Sequence, residues 1–99
     1  MVTIIENWTE VVGIVVALLP SPTRDGFLEM ELRVEEVRPV GDFPNLVQAR
    51  PGENITVLIR TSQVADGRPK AGTEVDLRLR AAGPPLVYFA DAEWSVIEE

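Results

Sequence analysis

The sequence predicts an all-β domain closed into a small barrel, and three features carry that prediction. The first is strict alternation along Gly26–Arg38. Leu28, Met30, Leu32 and Val34 fall on one face, and Glu29, Glu31, Arg33 and Glu35 on the other. A period of two with one apolar and one charged face marks a half-buried strand. The second is the step at Glu35–Glu36, after which Val37 resumes the apolar series out of phase. One extra residue in a strand does this, so a β-bulge is expected there. The third is Gly13 inside the apolar run Val11–Leu19. A lone glycine in mid-strand marks a bulge or a sharp bend. A long strand that bulges midway can bend and serve both walls of a barrel.

The elements follow in order. Residues 1–7 are assigned to an N-terminal arm or extra strand, because Met1–Ile5 is apolar and β-branched. Residues 8–99 form the single β-barrel domain. Trp8–Leu19 is the first full strand, apolar on both faces. Pro20 and Pro22 end it, and Asp25-Gly26 is a turn dipeptide leading into the second strand, which runs to about Val40. A longer connection follows, in which Phe43 and Leu46 are expected to tuck under the barrel. Asn54–Arg60 is the third strand. Thr61–Asp66 has room for one helical turn before Gly67, Pro69 and Gly72 stop it. Thr73–Arg80 is the fourth strand, with Val75, Leu77 and Leu79 inward. Leu86–Phe89 and Glu93–Ile97 make the last strand, interrupted near Asp91.

Two long strands, the second bulged, then a strand, a short irregular connection and two more strands resemble the OB-fold, a five-stranded Greek-key barrel. The resemblance spans Trp8–Ile97 and rests on strand count, Gly13, the Glu35–Glu36 bulge and the long gap between strands three and four. Thr61–Gly72 is shorter than the helical segment usual at that place. An SH3-like barrel or a small β-sandwich is the alternative architecture.

Composition bounds the function. The chain has 99 residues, with no Cys and no His. Disulfides, thiolate metal sites, cysteine nucleophiles and the usual general base are therefore excluded. A net charge of −7 disfavours nucleic acid and anionic membrane as default partners. The run Val11–Leu19 falls short of the ~20 residues of a membrane span. Glu6 and Glu10 stand where a signal peptide would carry cations. A soluble, cytoplasmic protein is the expectation. Eight of the nine basic residues are Arg, and Asn, Gln and Met are sparse; a GC-rich genome or a thermophilic source accounts for this.

No arrangement reads as catalytic, so the chain is expected not to be an enzyme and to use no cofactor or metal. Ser62 with Lys70 lacks the burial that would deprotonate the lysine, and Asp91 with Glu93 lacks a cleft. The resemblance places a binding face on strands two and three, where Glu29, Glu31, Arg33 and Glu35 lie beside Thr56, Leu58 and Arg60. That face is acidic and without aromatics, unlike single-strand binders. A weaker basic grouping, Arg68, Lys70, Arg78 and Arg80 with Tyr88 and Phe89 nearby, is the candidate anion or nucleic-acid contact. Val2, Ile4, Ile5 and the outward-facing Leu58 are the candidate self-association residues. Trp8 and Trp94 are assigned to core packing or the barrel rim. Asn7-Trp8-Thr9 and Asn54-Ile55-Thr56 are taken as chance glycosylation sequons. The leading functional expectation is a binding or assembly module that pairs with itself or with another protein. The alternative is an OB-fold nucleic-acid-binding protein using the basic grouping.

Overall fold

A computed structural model of the chain describes residues 7–64, 67, 69–82 and 87–97, with the backbone alone at 92 and 93. Five strands form: β1 (Thr9–Pro20), β2 (Phe27–Pro39), β3 (Asn54–Arg60), β4 (Glu74–Ala82) and β5 (Val87–Val96). A 3₁₀ turn, Thr61–Val64, follows β3. The sheet closes in the order β1-β2-β3-β5-β4, with β4 returning to β1. Every pair is antiparallel except β3 with β5, which run parallel. This is an OB-like barrel.

The alternation of β2 becomes the core. Leu28, Met30, Leu32 and Val34 are buried and meet Val57 and Ile59 of β3, Val75, Leu77 and Leu79 of β4, and Val11 and Val15 of β1. Both expected irregularities lie on the β1–β2 ladder. Val12 pairs with Glu36 and Gly13 with Val34, so Glu35 is the extra residue of β2. A second extra residue, Val16, sits on β1 between Val15 and Ala17. Gly13 lies between these two bulges, and a Cβ there would stand 2.6 Å from the Arg33 carbonyl oxygen and 2.8 Å from Leu32 Cγ. The glycine is required by close approach rather than by an unusual backbone angle. Gly26, with φ of 80°, turns the chain into β2.

Polar groups close the ends. Asn7 is 1% exposed. Its Nδ2 donates to the Ala81 carbonyl at 2.9 Å, and the Ala81 N–H donates to its Oδ1 at 2.8 Å. The side-chain amide thus serves Ala81 as a neighbouring strand would, and Asn7 is no surface sequon. Leaving such a buried donor or acceptor unsatisfied costs about 1–3 kcal/mol. Thr9 Oγ1 donates to Asn45 Oδ1, and the Gln48 N–H donates to the Tyr88 hydroxyl. These bonds hold the β2–β3 connection against the barrel. Val47, not Phe43 or Leu46, fills the space beneath that connection; Phe43 and Leu46 are 41% and 40% exposed. The segment follows the Asn45 and Tyr88 anchors, which put Val47 and not its neighbours against the core. At the other connection Val64 of the 3₁₀ turn enters the core. β5 is continuous, but Asp91, Ala92 and Glu93 face the single residue Arg78 across the ladder, so the expected interruption is a bulge. No helix among the described residues is long and apolar enough to cross a membrane.

Leu32→Ala should cost about 2–5 kcal/mol in denaturant melts, as core truncations do. Glu31→Ala, one residue away and bonded only to the exposed Asn54, should cost less than about 1 kcal/mol. Gly13→Ala should destabilise by about 1–3 kcal/mol through overpacking, although alanine is otherwise the better strand residue. Equal midpoints for the Leu32 and Glu31 variants would contradict the burial of this face.

Candidate binding cleft

The barrel carries a cleft of about 420 Å³ lined by Trp8, Phe27, Arg60, Ser62, Gln63, Arg80, Phe89, Ala90 and Asp91. Four strands, the 3₁₀ turn and the residue before β1 assemble it. Phe27 opens β2 in phase with Glu29 and Glu31, so it faces outward. Arg60 closes β3 as the ladder partner of Phe27. Arg80 on β4 is the ladder partner of Phe89 on β5, and Phe89 in turn lies beside Leu58 of β3.

The side chains form a stack. The rings of Phe27 and Phe89 meet edge to face, with centroids 6.0 Å apart and planes at 70°. The Arg60 guanidinium lies over Phe27 at 5.6 Å from the centroid, and that of Arg24 over Phe89 at 5.4 Å. Both are cation–π contacts. Arg24 comes from the β1–β2 turn, which is pinned in place: its N–H donates to Ser21 Oγ, the Ser21 N–H donates to the Phe27 carbonyl, and the Thr61 N–H donates to the Gly26 carbonyl. Gln63 joins the other walls. Its Oε1 accepts from the Arg60 N–H at 2.6 Å, and its Nε2 donates to the Asp91 carbonyl at 2.7 Å. Trp94 Nε1 donates to the Gln63 carbonyl at 3.2 Å.

Two described arginines are ion-paired. Arg33 pairs with Glu35, and Arg38 pairs with Glu36 and Glu10. Among the described residues no carboxylate lies within ion-pair distance of Arg24, Arg60 or Arg80.

The structure divides the basic grouping expected from the sequence. Arg80 lines the cleft. Arg78, two residues earlier on the same face, instead borders a smaller recess of about 220 Å³ with Glu10, Asp76, Trp94 and Ser95. Lys70 is exposed in the turn before β4, where its carbonyl accepts from the Thr73 N–H. Arg68 lies outside the described residues, as do Val2, Ile4 and Ile5. Leu58 does stand apart from the core cluster, but it is only 6% exposed and so offers no open contact surface. Its ladder neighbours are Phe89 and Glu29. Trp8 lines the cleft, and Trp94 packs partly buried against the core.

The residues that sequence reasoning missed are Phe27 and Gln63 in the cleft and Arg24 beside it. Phe27 left a visible signal: a large apolar residue in the outward phase of an otherwise charged face. Nothing local marked Arg24. Among the described residues no cluster of three or more acidic side chains is placed to hold a metal ion. No protein-family model and no curated protein matches this chain.

The smaller recess concentrates charge. Arg38 donates Nε–H and an Nη–H to the two Glu36 oxygens at 2.8 and 2.7 Å, and these bonds hold the Glu36 carboxyl below the usual range. Asp76 is shifted the other way. Burial is the main cause and the neighbouring Glu10 the second, partly opposed by Arg38 and Arg78. Because folding raises this pKa, the folded chain holds the proton more tightly than the unfolded chain. Ionising Asp76 therefore opposes folding, and stability from this site falls as pH rises from the ordinary aspartate value through the raised one. Asp76→Asn should stabilise the fold at neutral pH, by less than about 1 kcal/mol for so solvated a group, and so raise the melting temperature slightly. The gain should shrink as pH falls into the carboxylate range. A melting temperature gain that is the same at neutral pH and at pH values below that range would refute this assignment.

Proposed function

We propose that the chain is a non-catalytic binding module acting through protein–protein contacts, with the arginine–aromatic cleft as its contact surface. The observation that supports this reading is the Arg24–Phe89–Phe27–Arg60 stack, three of whose members are contributed by separate barrel strands and the fourth by a pinned turn. Arginine and aromatic side chains dominate the energetic centres of protein interfaces, because they bury large area at low entropic cost and desolvate well. Here they are pre-positioned by hydrogen bonds, so little ordering is left to be done on binding.

Self-pairing has its own support. β1 pairs with β4 only as far as Ile14, Val15 bonds the turn before β4, and from Ala17 to Pro20 β1 pairs with β2 alone among the described residues. Val16 and Leu19 are exposed there, Leu19 at 62%. An open strand edge with apolar residues is a site for strand addition by a second copy.

Nucleic acid is the second reading. It is favoured by the position of the cleft beside the β1–β2 loop, one of the places where OB-like barrels take oligonucleotides. It is opposed by the rings of Phe27 and Phe89, each of which already has a guanidinium over it and so offers no open face to a base.

Affinity capture from the source cells, comparing the full chain with its Arg60→Glu variant, tests the leading reading. The expected result is a partner protein retained by the parent chain and lost with the variant, from a preparation free of nucleic acid. The same protein set on both baits, or nucleic acid co-purifying with the parent chain, would refute it. Light scattering on the full chain reports whether that partner is a second copy.

A further inference from the structure

The cleft has a definite ligand chemistry. The molecule carries 16 acidic against 9 basic residues, yet among the described residues only Arg33 and Arg38 form ion pairs with carboxylates. Of the arginines without an ion pair, Arg60 and Arg80 line one cleft, and Arg24 lies over Phe89, which lines the same cleft. Arg24 and Arg60 also lie over phenyl rings, with the guanidinium carbon 5.4 and 5.6 Å from the ring centroids. A guanidinium fixed in this way presents its N–H edge as a rigid fork, the geometry that matches a carboxylate or phosphate with two parallel bonds.

Two features separate these anions. Single-stranded nucleic acid is bound by stacking bases on open aromatic faces. Here Phe27 and Phe89 each already have a guanidinium over the ring and meet each other edge to face. The cleft is also bordered by acid. Asp91 lines it, and Glu29 is the outward ladder partner of Leu58, in the same row as Phe89 and Arg80. A phosphodiester chain, charged at every unit, would run into these carboxylates. A peptide can set acidic side chains against the three forks and uncharged ones against the border.

Building on the module reading above, we propose that the cleft receives an acidic peptide segment of a protein partner, with carboxylates held by the forks of Arg24, Arg60 and Arg80. Gln63 is a positioning residue in this scheme. It ties the Arg60 backbone to β5 at Asp91.

The test is fluorescence anisotropy of a labelled ten-residue polyglutamate peptide titrated with the full chain at low salt. A labelled ten-nucleotide oligothymidine and a neutral glycine–serine peptide run beside it. The expected result is saturable binding of polyglutamate alone, weakening as salt screens the charges. Arg60→Lys and Arg80→Lys keep the charge but lose the fork, and each should weaken binding by about fivefold or more. Arg33→Gln, on the acidic face, should leave binding unchanged, and circular dichroism melts should show all variants folded. No binding of polyglutamate, equal binding by the lysine variants, or tighter binding of oligothymidine would each overturn the proposal. Should polyglutamate fail while partner capture still depends on Arg60, only the acidic chemistry falls. Should capture not depend on Arg60, the module reading falls as well.

Discussion

The close approach of β1 and β2 at Gly13 is the constraint on which the rest of the molecule depends. β1 pairs with β2 along its length and with β4 along its first half, so one strand must turn through both walls. An ordinary straight ladder cannot do so, and closing a barrel requires tilt and coil. The extra residues Glu35 and Val16, one on each strand, supply the added twist on either side of Gly13. Between them the backbones come so near that the Arg33 carbonyl and Leu32 occupy the space of a side chain. Leu32, fully buried, is thereby driven to the middle of the core. The cleft depends on the same closure. Phe27, Arg60, Phe89 and Arg80 belong to four different strands and become neighbours only because β5 sits between β3 and β4.

Much of this architecture was legible because strand periodicity and bulges write themselves into sequence. The phase change at Glu35–Glu36 marks an extra residue, and the structure has Glu35 without a ladder partner. The bounds Asn54–Arg60 coincide with those expected from turn residues and alternation. The bulge at Val16 was hidden because β1 is apolar on both faces, and a phase change among valines leaves no mark. Phe43 and Leu46 misled for a related reason: apolar character suggested burial, yet the anchors that set the path of this connection are the polar Asn45, Gln48 and Tyr88. The role of Asn7 is invisible in the sequence, because a side chain standing in for a strand has no periodicity to betray it.

The cleft was less legible than the fold. Arg80 and Phe89 were singled out, but they were grouped with Arg68, Lys70 and Arg78 by closeness in the chain and not by ladder register. Register separates Arg78, opposite Glu10, from Arg80, opposite Phe89. It also brings in Arg60 through Phe27. The acidic stretch of β2 drew attention to Glu29, Glu31 and Glu35 and away from Phe27, which begins the same face. A parallel contact between β3 and β5, distant in sequence, completes the group, and no local pattern encodes it.

A net charge of −7 and a basic cleft are compatible because charge acts over short distances in salt water. At physiological ionic strength the screening length is about 8 Å, so the acids of a distant face contribute little to the potential between Arg60 and Arg80. What decides the sign of the cleft is which carboxylates stand beside its arginines. On the outward face of β2 and at its bulge, Arg33 and Arg38 are paired with glutamates. In the cleft the positions next to arginine are taken by phenyl rings, which hold a guanidinium without neutralising it. Replacing a carboxylate neighbour by an aromatic one keeps the arginine in place and leaves its hydrogen-bonding edge available. On that arrangement rests the proposal that a mostly anionic barrel takes an anion at this cleft.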